Sequence, residues 1–336
     1  MILLIFGLSA LITFLLIYPS KLIATKFKII DKPDPTRKIH KKGTPYLGGL
    51  AILCGWVMVS LTFGSVRKSS IFVLIAVLIC LLGTLDDIKS IHPAIRISVE
   101  SLAAAGAWRF TDLYHEWPGI VGSLFCIIWI VGITNSANLL DNMDGSLTVA
   151  TLIISAGLTA DAYMLNQKFI FILGLSLVGA LIGFLPFNWP PAKIFMGDGG
   201  SLLLGFIVSF LTLSLQVSFQ DWISKFVIPP IFCVIFLFDT TLVVLHRTMT
   251  RRHVFSGAKD HVTHRLNNLG LKIYIVDLVV SIGALFGVII ASSVELKYLN
   301  ATIALILVIL VVVPMFISAS LVRVDVPVGN SKFIKS

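Results

Sequence analysis

Four groups of acidic, amide and imidazole side chains stand out in a chain that is otherwise apolar. Asp86 and Asp87 occur in Gly-Thr-Leu-Asp-Asp-Ile-Lys, and Asp198 occurs in Phe-Met-Gly-Asp-Gly-Gly-Ser. The other two groups are Asn135, Asn138, Asp141, Asn142 and Asp144, and then His253, His261 and His264. Carboxylates packed together raise each other's pKa, and a divalent cation removes that repulsion. Mg²⁺ takes oxygen ligands, commonly one or two carboxylates plus substrate phosphates, so these groups predict a site for a diphosphate with Mg²⁺.

Residues beside the carboxylates supply features that suit a phosphate. The glycines around Asp198 allow the backbone to approach a ligand closely. We expect Ser201 to open a helix, whose N-terminus favours phosphate. Lys89 lies three residues beyond Asp86, so its ammonium group is expected to reach the same phosphate.

Two basic segments are further candidates for substrate contacts. The first contains Lys38, His40 and Lys42, which we predict to contact substrate phosphates. The alternative is that this segment binds anionic lipid, as basic segments beside membranes commonly do. The second is the loop after the ninth predicted span, which is longer than loops without structure of their own usually are, and this favours a lid or recognition segment.

Length and composition restrict the elements that position these residues. Of 336 residues, 57% are hydrophobic and only 13% are charged, which excludes a soluble globular domain, a disordered chain and a disulfide-rich secreted module. A spanning helix needs about 20 mostly apolar residues. The sequence therefore predicts an all-α polytopic membrane protein with one transmembrane catalytic domain over residues 1–336. The predicted spans are 2–24, 46–64, 70–86, 95–111, 118–138, 146–165, 168–187, 201–219, 225–246, 273–294 and 300–322.

The distribution of basic residues predicts the orientation. With eleven spans, 20 of the 26 Lys and Arg residues fall on one side, which is therefore cytoplasmic, with the N-terminus outside and the C-terminus inside. The same rule explains the net charge of +9 without nucleic acid as a partner. All four polar groups fall on this side, on or beside the predicted cytoplasmic loops. Those loops are 25–45, 86–94, 139–145, 188–200 and 247–271.

These motifs, taken in order, resemble one known family. From about Lys38 to Gly270 the chain is similar to the polyprenyl-phosphate N-acetylhexosamine-1-phosphate transferases, which include the phospho-N-acetylmuramoyl-pentapeptide translocase. Asp-Asp-x-x-Lys is weak evidence alone, but it is combined here with Asn-x-x-x-x-x-Asp-Gly and Met-Gly-Asp-x-Gly-Ser on one predicted side. The resemblance implies that the phosphate of a membrane polyprenol attacks the β-phosphorus of a UDP-sugar and releases UMP. It implies UDP-GlcNAc as the sugar donor, undecaprenyl phosphate as the acceptor, a bacterial inner membrane location with a cytoplasmic active site, and a homodimer.

The resemblance also implies roles for individual residues. Asp198 matches the family's Mg²⁺ ligand, with Asp87 beside it, and Mn²⁺ is an alternative ion. The implied catalytic residues are Asp86, Asp87, Asp141 and His264. The implied substrate-binding residues are Lys38, His40, Lys42, Lys89, Asn138, Met143, Asp144, His261 and Arg265.

The chain departs from the family's pattern at three points. The usual His-x-His-His is His261-Val262-Thr263-His264 here, so Thr263 replaces the central histidine. An upstream Asp is replaced by Ala258, and Asn142 stands at a usual glycine. Asn adopts positive φ more readily than most residues, so the turn at Asn142 is expected to survive.

Three alternatives are kept open, and one of them, a scaffold for other membrane enzymes, predicts no loss of function when Asp198 is changed. The muramoyl-pentapeptide translocase branch usually has ten spans and a full histidine triplet, so eleven spans and Thr263 favour the GlcNAc branch. A secondary transporter would place polar groups near the bilayer midplane on broken helices, often in repeated halves. Here the acids lie at one predicted surface, and no internal repeat is visible.

Overall fold

The computed structural model describes residues 1–31, 43–64, 66–215, 222–253 and 258–322. Within these ranges the chain forms fourteen helices and one short antiparallel pair of strands, in which Ile30 pairs with Pro45. The elements in chain order are α1 (Ile2–Lys26), β1 (Ile30–Asp31), β2 (Thr44–Pro45), α2 (Gly48–Phe63), α3 (Val66–Ile88), α4 (Pro93–Phe110), α5 (Leu113–Glu116), α6 (Gly119–Leu140), α7 (Ser146–Met164), α8 (Lys168–Asn188), α9 (Gly197–Ser214), α10 (Trp222–Phe232), α11 (Val234–Met249), α12 (Val262–Asn268), α13 (Ile273–Glu295) and α14 (Ala301–Leu321).

The predicted class of polytopic all-helical membrane protein is confirmed. A helix occupies each predicted span, and eight helices of the described ranges are long and apolar enough to cross a membrane, or nine with α10 and α11 taken as one span. α2 has only 16 residues, and α4 carries Arg96, Glu100 and Arg109. The count of eleven spans and the orientation of the termini therefore stay predictions.

The ninth predicted span, 225–246, is not one straight helix. α10 and α11 meet at Cys233 with a bend of 78°. Pro229 and Pro230 lie in the last turn of α10. Proline has no backbone N–H to donate to the preceding turn, which weakens the helix here. Beyond the bend, α11 packs against α6 and carries Arg247 to the wall of a cavity between these helices.

The buried helix α9 is the element around which the polar residues are arranged. Every residue from Gly199 to Leu213 is buried, as expected of a helix that is apolar on all sides. α3 and α6 pack closely on it because glycines stand at the contacts. A Cβ on Gly83 would overlap the backbone of Asp198, and one on Gly205 would overlap Thr134 of α6. This close approach places the ends of three helices side by side.

Candidate functional site

The two aspartates of α3 have different partners. Asp87 caps α9, because its Oδ1 accepts a hydrogen bond from the backbone N–H of Asp198 at 3.0 Å and its Oδ2 accepts one from Gly199 at 3.4 Å. Glycine at position 197 makes this cap possible for two reasons. Its φ is +72°, and a Cβ at this position would overlap the Asp87 carboxylate. α9 thus begins at Gly197, and the expectation that Ser201 opens the helix is wrong. The Asp198 and Gly199 N–H groups at the start of α9 already donate to the Asp87 carboxylate, so they are not available to bind a phosphate.

Asp86 faces an arginine that was not among the predicted site residues. Asp86 Oδ2 lies 3.1 Å from Arg96 Nη1, and Asp86 Oδ1 accepts the backbone N–H of Ile91 at 2.7 Å. The same Arg96 nitrogen lies 3.8 Å from Asp198 Oδ2. Arg96 also donates to Asn135 Oδ1 at 3.0 Å. One guanidinium therefore connects α3, α6 and α9 from its position on α4.

Asn138 ties α6 to the same carboxylate. Its Nδ2 donates to Asp198 Oδ1 and to Ser201 Oγ, both at 2.8 Å. The Asp198 side chain stays 36% exposed, against 10% for Asp86. Asp198 is therefore more open to a ligand than Asp86.

A cavity of about 630 Å³ adjoins this cluster. Its polar lining residues are Arg96, Asn135, Asn138, Arg247 and His261, among others. Its apolar lining residues, on helices α6 and α11, include Phe125, Ile128, Trp129, Ile133, Leu237 and Val244. Ile128 is 69% exposed, so the cavity reaches the outer surface of the helix bundle. This site can bind a molecule with a charged head and a long apolar chain.

The turn after α6 carries three predicted site residues. Met143 and Asp144 are buried, and Asp144 Oδ2 accepts the backbone N–H of Ala192 at 2.9 Å. Asp141 is partly exposed. Burial, and then the nearby Asp198 and Asp87 carboxylates, raise the pKa of Asp141 well above its ordinary range. The turn thus places a further acid within electrostatic range of the α3 and α9 carboxylates.

The histidine segment is fixed by buried hydrogen bonds and one buried ion pair. Asp239 of α11 contacts His261 Nδ1 at 2.7 Å and accepts the backbone N–H of Val262 at 2.7 Å. Asp260 binds Arg247 through two contacts of 2.8 Å. These contacts hold the start of α12 against α11, so His261 lines the cavity.

His264 and Arg265 differ in their surroundings. The His264 ring lies 6.2 Å from the His261 ring. Burial, and then the positive charge of His261, lower the pKa of His264 from 6.5 to about 4, so its imidazole is neutral at pH 7. Arg265 is buried and donates to the carbonyls of Asp260, Ala319 and Val322. Its observed contacts therefore connect α12 to the end of α14, and substrate binding by Arg265 stays a prediction.

Other predicted residues lie at the margin of the cluster or outside the described ranges. Lys89 is exposed just after α3 ends, beyond the carboxylates. Lys38, His40 and Lys42 lie outside the described residues. The structure thus brings Asp86, Asp87, Asn138, Asp141 and Asp198 together and places His261 at the same cavity.

Arg96 and Tyr46 were missed from the sequence, whereas Glu100 and Asp239 stand out there as acids in apolar segments but without an assigned role. Arg96 and Glu100 lie 3.5 Å apart one turn along α4, and Tyr46 lies within electrostatic range of Asp87 and Asp198. Charged residues inside an apolar segment are costly and often functional, so Arg96 and Glu100 carried a usable signal. Asp239 carried the same signal, whereas nothing in the sequence distinguished Tyr46.

Comparison with known protein sequences identifies the family of this chain. Residues 69–216 match the family model for glycosyl transferase family 4. A Bacillus subtilis relative, the probable undecaprenyl-phosphate N-acetylglucosaminyl 1-phosphate transferase, is 35% identical over 82% of each chain. A Thermotoga maritima undecaprenyl-phosphate alpha-N-acetylglucosaminyl 1-phosphate transferase is 30% identical over 76% of this chain and 79% of its own. A Streptococcus pneumoniae phospho-N-acetylmuramoyl-pentapeptide-transferase is 30% identical over 61% of this chain and 67% of its own. The chain therefore belongs to the polyprenyl-phosphate N-acetylhexosamine-1-phosphate transferase superfamily, glycosyl transferase family 4.

Proposed function

We propose that the protein transfers GlcNAc-1-phosphate from UDP-GlcNAc to undecaprenyl phosphate and releases UMP. The observation that carries this proposal is the contact between a carboxylate cluster around Asp198 and a cavity whose lining is largely apolar. The names of the Bacillus subtilis and Thermotoga maritima relatives support the same donor and acceptor. We place the reaction in a bacterial inner membrane, with the active site on the cytoplasmic face.

The cavity suits the acceptor lipid. Its apolar wall, on α6 and α11, would contact the first isoprene units, because burying apolar surface is favourable. The lipid phosphate would then lie at the polar end, near Arg96 and Asn138. An Arg guanidinium presents several donors in a fixed geometry that matches phosphate oxygens. Membership of a transferase family favours this interpretation over a secondary transporter.

The reaction is a displacement at phosphorus. An oxygen of the lipid phosphate forms a bond to the β-phosphorus of the donor. The bond from that phosphorus to the bridging oxygen breaks, and its electrons leave with UMP. The chief obstacle is the approach of two anions, so groups that neutralise charge should contribute most to the rate.

The residues at the cluster fit Mg²⁺ bound together with a substrate. Within the described ranges, no three His, Cys, Asp or Glu side chains group as a complete metal site. Asp198 nevertheless offers a partly exposed carboxylate, and the Asp87 carboxylate beside it has a second lone pair on each oxygen besides those that accept the α9 N–H groups. One or two carboxylates are the usual protein share for Mg²⁺ that also binds phosphates and water. When bound, the ion would neutralise charge on the diphosphate and on the departing UMP. Mn²⁺ has the same preference for oxygen ligands.

The environment of Asp86 does not suit a general base. Both of its oxygens are engaged, one by Arg96 and one by the Ile91 N–H. A phosphate monoester has a second pKa near 6, so much of the lipid phosphate is already dianionic at pH 7. Asp86 therefore serves to orient Arg96. We expect D86N to lose a similar fraction of its activity at pH 6 and at pH 9, because the orientation of Arg96 does not depend on the protonation of the lipid phosphate. A loss at pH 6 that is recovered at pH 9, as expected of a missing base, would contradict this role.

A panel of radiolabelled donors tests the proposal. Purified protein, undecaprenyl phosphate and Mg²⁺ would be incubated with UDP-GlcNAc, UDP-GalNAc or UDP-MurNAc-pentapeptide, and lipid-extractable label would be counted. Label from UDP-GlcNAc, with equal release of UMP and no label after chelation, supports the assignment. Label only from UDP-MurNAc-pentapeptide would instead support the activity that the Streptococcus pneumoniae relative is named for. No transfer from any donor would overturn the proposal.

A further inference from the structure

Helices α7 and α13 lie side by side and run in the same direction. At their starts, Ser146 of α7 donates a hydrogen bond to Asp277 Oδ1 of α13 at 2.6 Å. Further along, a Cβ on Gly157 of α7 would overlap the Val288 side chain of α13. Ser146 closely follows the turn that carries Asp144. Both helices therefore begin on the side of the carboxylate cluster and end on the opposite side, which is the predicted outer side.

Two buried acids, Asp161 and Glu295, lie at these far ends and form the α7–α13 acid pair. Asp161 lies one turn beyond Gly157 on α7, and Glu295 is the last residue of α13. Their exposed fractions are 3% and 0%. The two carboxyl groups are within electrostatic range of each other, and the Ser292 side chain hydrogen-bonds to Asp161. Asp161 lies about 22 Å along α7 from the start of that helix, so the pair is separate from the cluster around Asp198.

Three oxygen atoms of the α7–α13 acid pair receive no hydrogen bond within the described residues. They are both carboxyl oxygens of Glu295 and Oδ2 of Asp161. The positive charge of Lys297 acts on Glu295, but the Lys297 side chain is exposed to solvent. Buried carboxylates are normally paired with a cation or coordinate a metal. The fully buried Glu295 carboxyl group therefore points to a positively charged ligand.

The ends of the two helices add negative charge at the same place. α7 ends at Met164 and α13 ends at Glu295. The C-terminus of a helix carries a partial negative charge and favours cations. Protons would neutralise the two carboxylates but not the helix ends, whereas a divalent cation compensates both. This difference favours a metal ion over protonation of the pair.

We propose that Asp161, Ser292 and Glu295 bind a divalent metal cation of the class of Ca²⁺ between the far ends of α7 and α13. Two carboxylates balance its charge, and Ca²⁺ takes oxygen ligands in a flexible geometry. Within the described ranges no third His, Cys, Asp or Glu joins the pair, so water and backbone carbonyls complete the coordination. The ion stabilises the contact between the two helices and takes no part in the proposed transfer.

Binding of Ca²⁺ tests this site directly. Equilibrium dialysis with radioactive Ca²⁺ would use purified protein in detergent, with D198N as the background so that Ca²⁺ binding at the carboxylate cluster is weakened. Adding E295Q or D161N to this background should remove one bound ion per chain or weaken its affinity at least about tenfold, because each change removes an anionic ligand. Unchanged Ca²⁺ binding in both double variants would overturn the inference.

Thermal unfolding gives a second measurement that does not depend on turnover. We expect saturating Ca²⁺ to raise the apparent melting temperature of the natural protein by about 5 °C, since an ion that binds only the folded state stabilises it. Most of this shift should persist in D198N and be absent in E295Q and D161N. In EDTA, E295Q should melt at or above the temperature of the natural protein, because it lacks one of two like charges. The same order of stability in EDTA and in Ca²⁺ would contradict a cation site.

D277N is the matched control, because Asp277 is another buried carboxylate on α13, at the opposite end of the helix. D277N should keep the Ca²⁺-dependent shift, and an equal loss of the shift in D277N and E295Q would count against the site. NaCl at the same ionic strength should not reproduce the shift. An equal shift in NaCl would show that Ca²⁺ only screens surface charge, and it would overturn the site.

Discussion

Arg96 Nη1 lies 3.1 Å from Asp86 Oδ2 and forms an ion pair between α4 and α3 at the edge of the cavity. The same nitrogen is 3.8 Å from Asp198 Oδ2. Replacing Arg96 by Gln should lower kcat by about 100-fold. The change removes the guanidinium that we propose binds the lipid phosphate, and it also removes the ion pair of Asp86. Steady-state release of UMP measures this loss.

R96K should recover only part of this activity, because an ammonium group cannot reproduce the planar donor geometry of a guanidinium. The matched control is R109Q, which removes an exposed positive charge from the other end of the same helix. R109Q should keep activity within about twofold. Equal losses in R96Q and R109Q would show that the effect belongs to the charge of α4 and not to this ion pair.

The 36% exposed Asp198 carboxylate is the expected first contact of the divalent cation. D198N should lower activity by more than about 100-fold and weaken Mg²⁺ affinity, because the amide oxygen carries no negative charge. Calorimetric titration with Mg²⁺ in the presence of UDP-GlcNAc measures the affinity separately from turnover. D112N, at an exposed position near α5, is the control. Unchanged Mg²⁺ affinity in D198N would contradict the assignment.

The sequence was sufficient for the helical class and for the grouping of the carboxylates, since Asp198 contacts both Asp87 and Asn138. These residues stand at the ends of predicted spans, which the apolar runs of the sequence already indicate. The start of α9 was placed four residues late, because Gly197 and the Asp87 cap are a tertiary arrangement. The bend at Cys233 had a signal in the proline pair, but the proximity of Asp161 and Glu295 had none.

Asp239 is fully buried and serves two donors of the histidine segment, His261 Nδ1 and the Val262 N–H. In D239N, one of these donors would meet an amide NH₂ group, and such a mispaired buried contact costs on the order of 1–3 kcal/mol. We expect a lower apparent melting temperature in detergent and at least about a tenfold loss of kcat as α12 loosens.

The control for Asp239 is D161N, which removes another buried carboxylate, on α7, away from the site. It should leave kcat within about twofold, whatever its effect on stability. The role of Asp239 would be refuted if D161N and D239N lost equal turnover, or if D239N kept full activity.

The neutral imidazole of His264 predicts a distinct response to acid. Burial, and then the charge of His261, lower its pKa from 6.5 to about 4. Between these pH values the unfolded chain binds more protons than the folded one, so this contribution to stability is complete above pH 6.5 and is lost as the pH falls towards 4. Its full size is on the order of 3 kcal/mol. H264Q lacks this group, so its apparent melting temperature should fall less between pH 6.5 and 4.5 than that of the natural protein. H115Q, at an exposed histidine of α5, should keep the natural pH dependence, and identical slopes for all three proteins would rule out a neutral, buried His264.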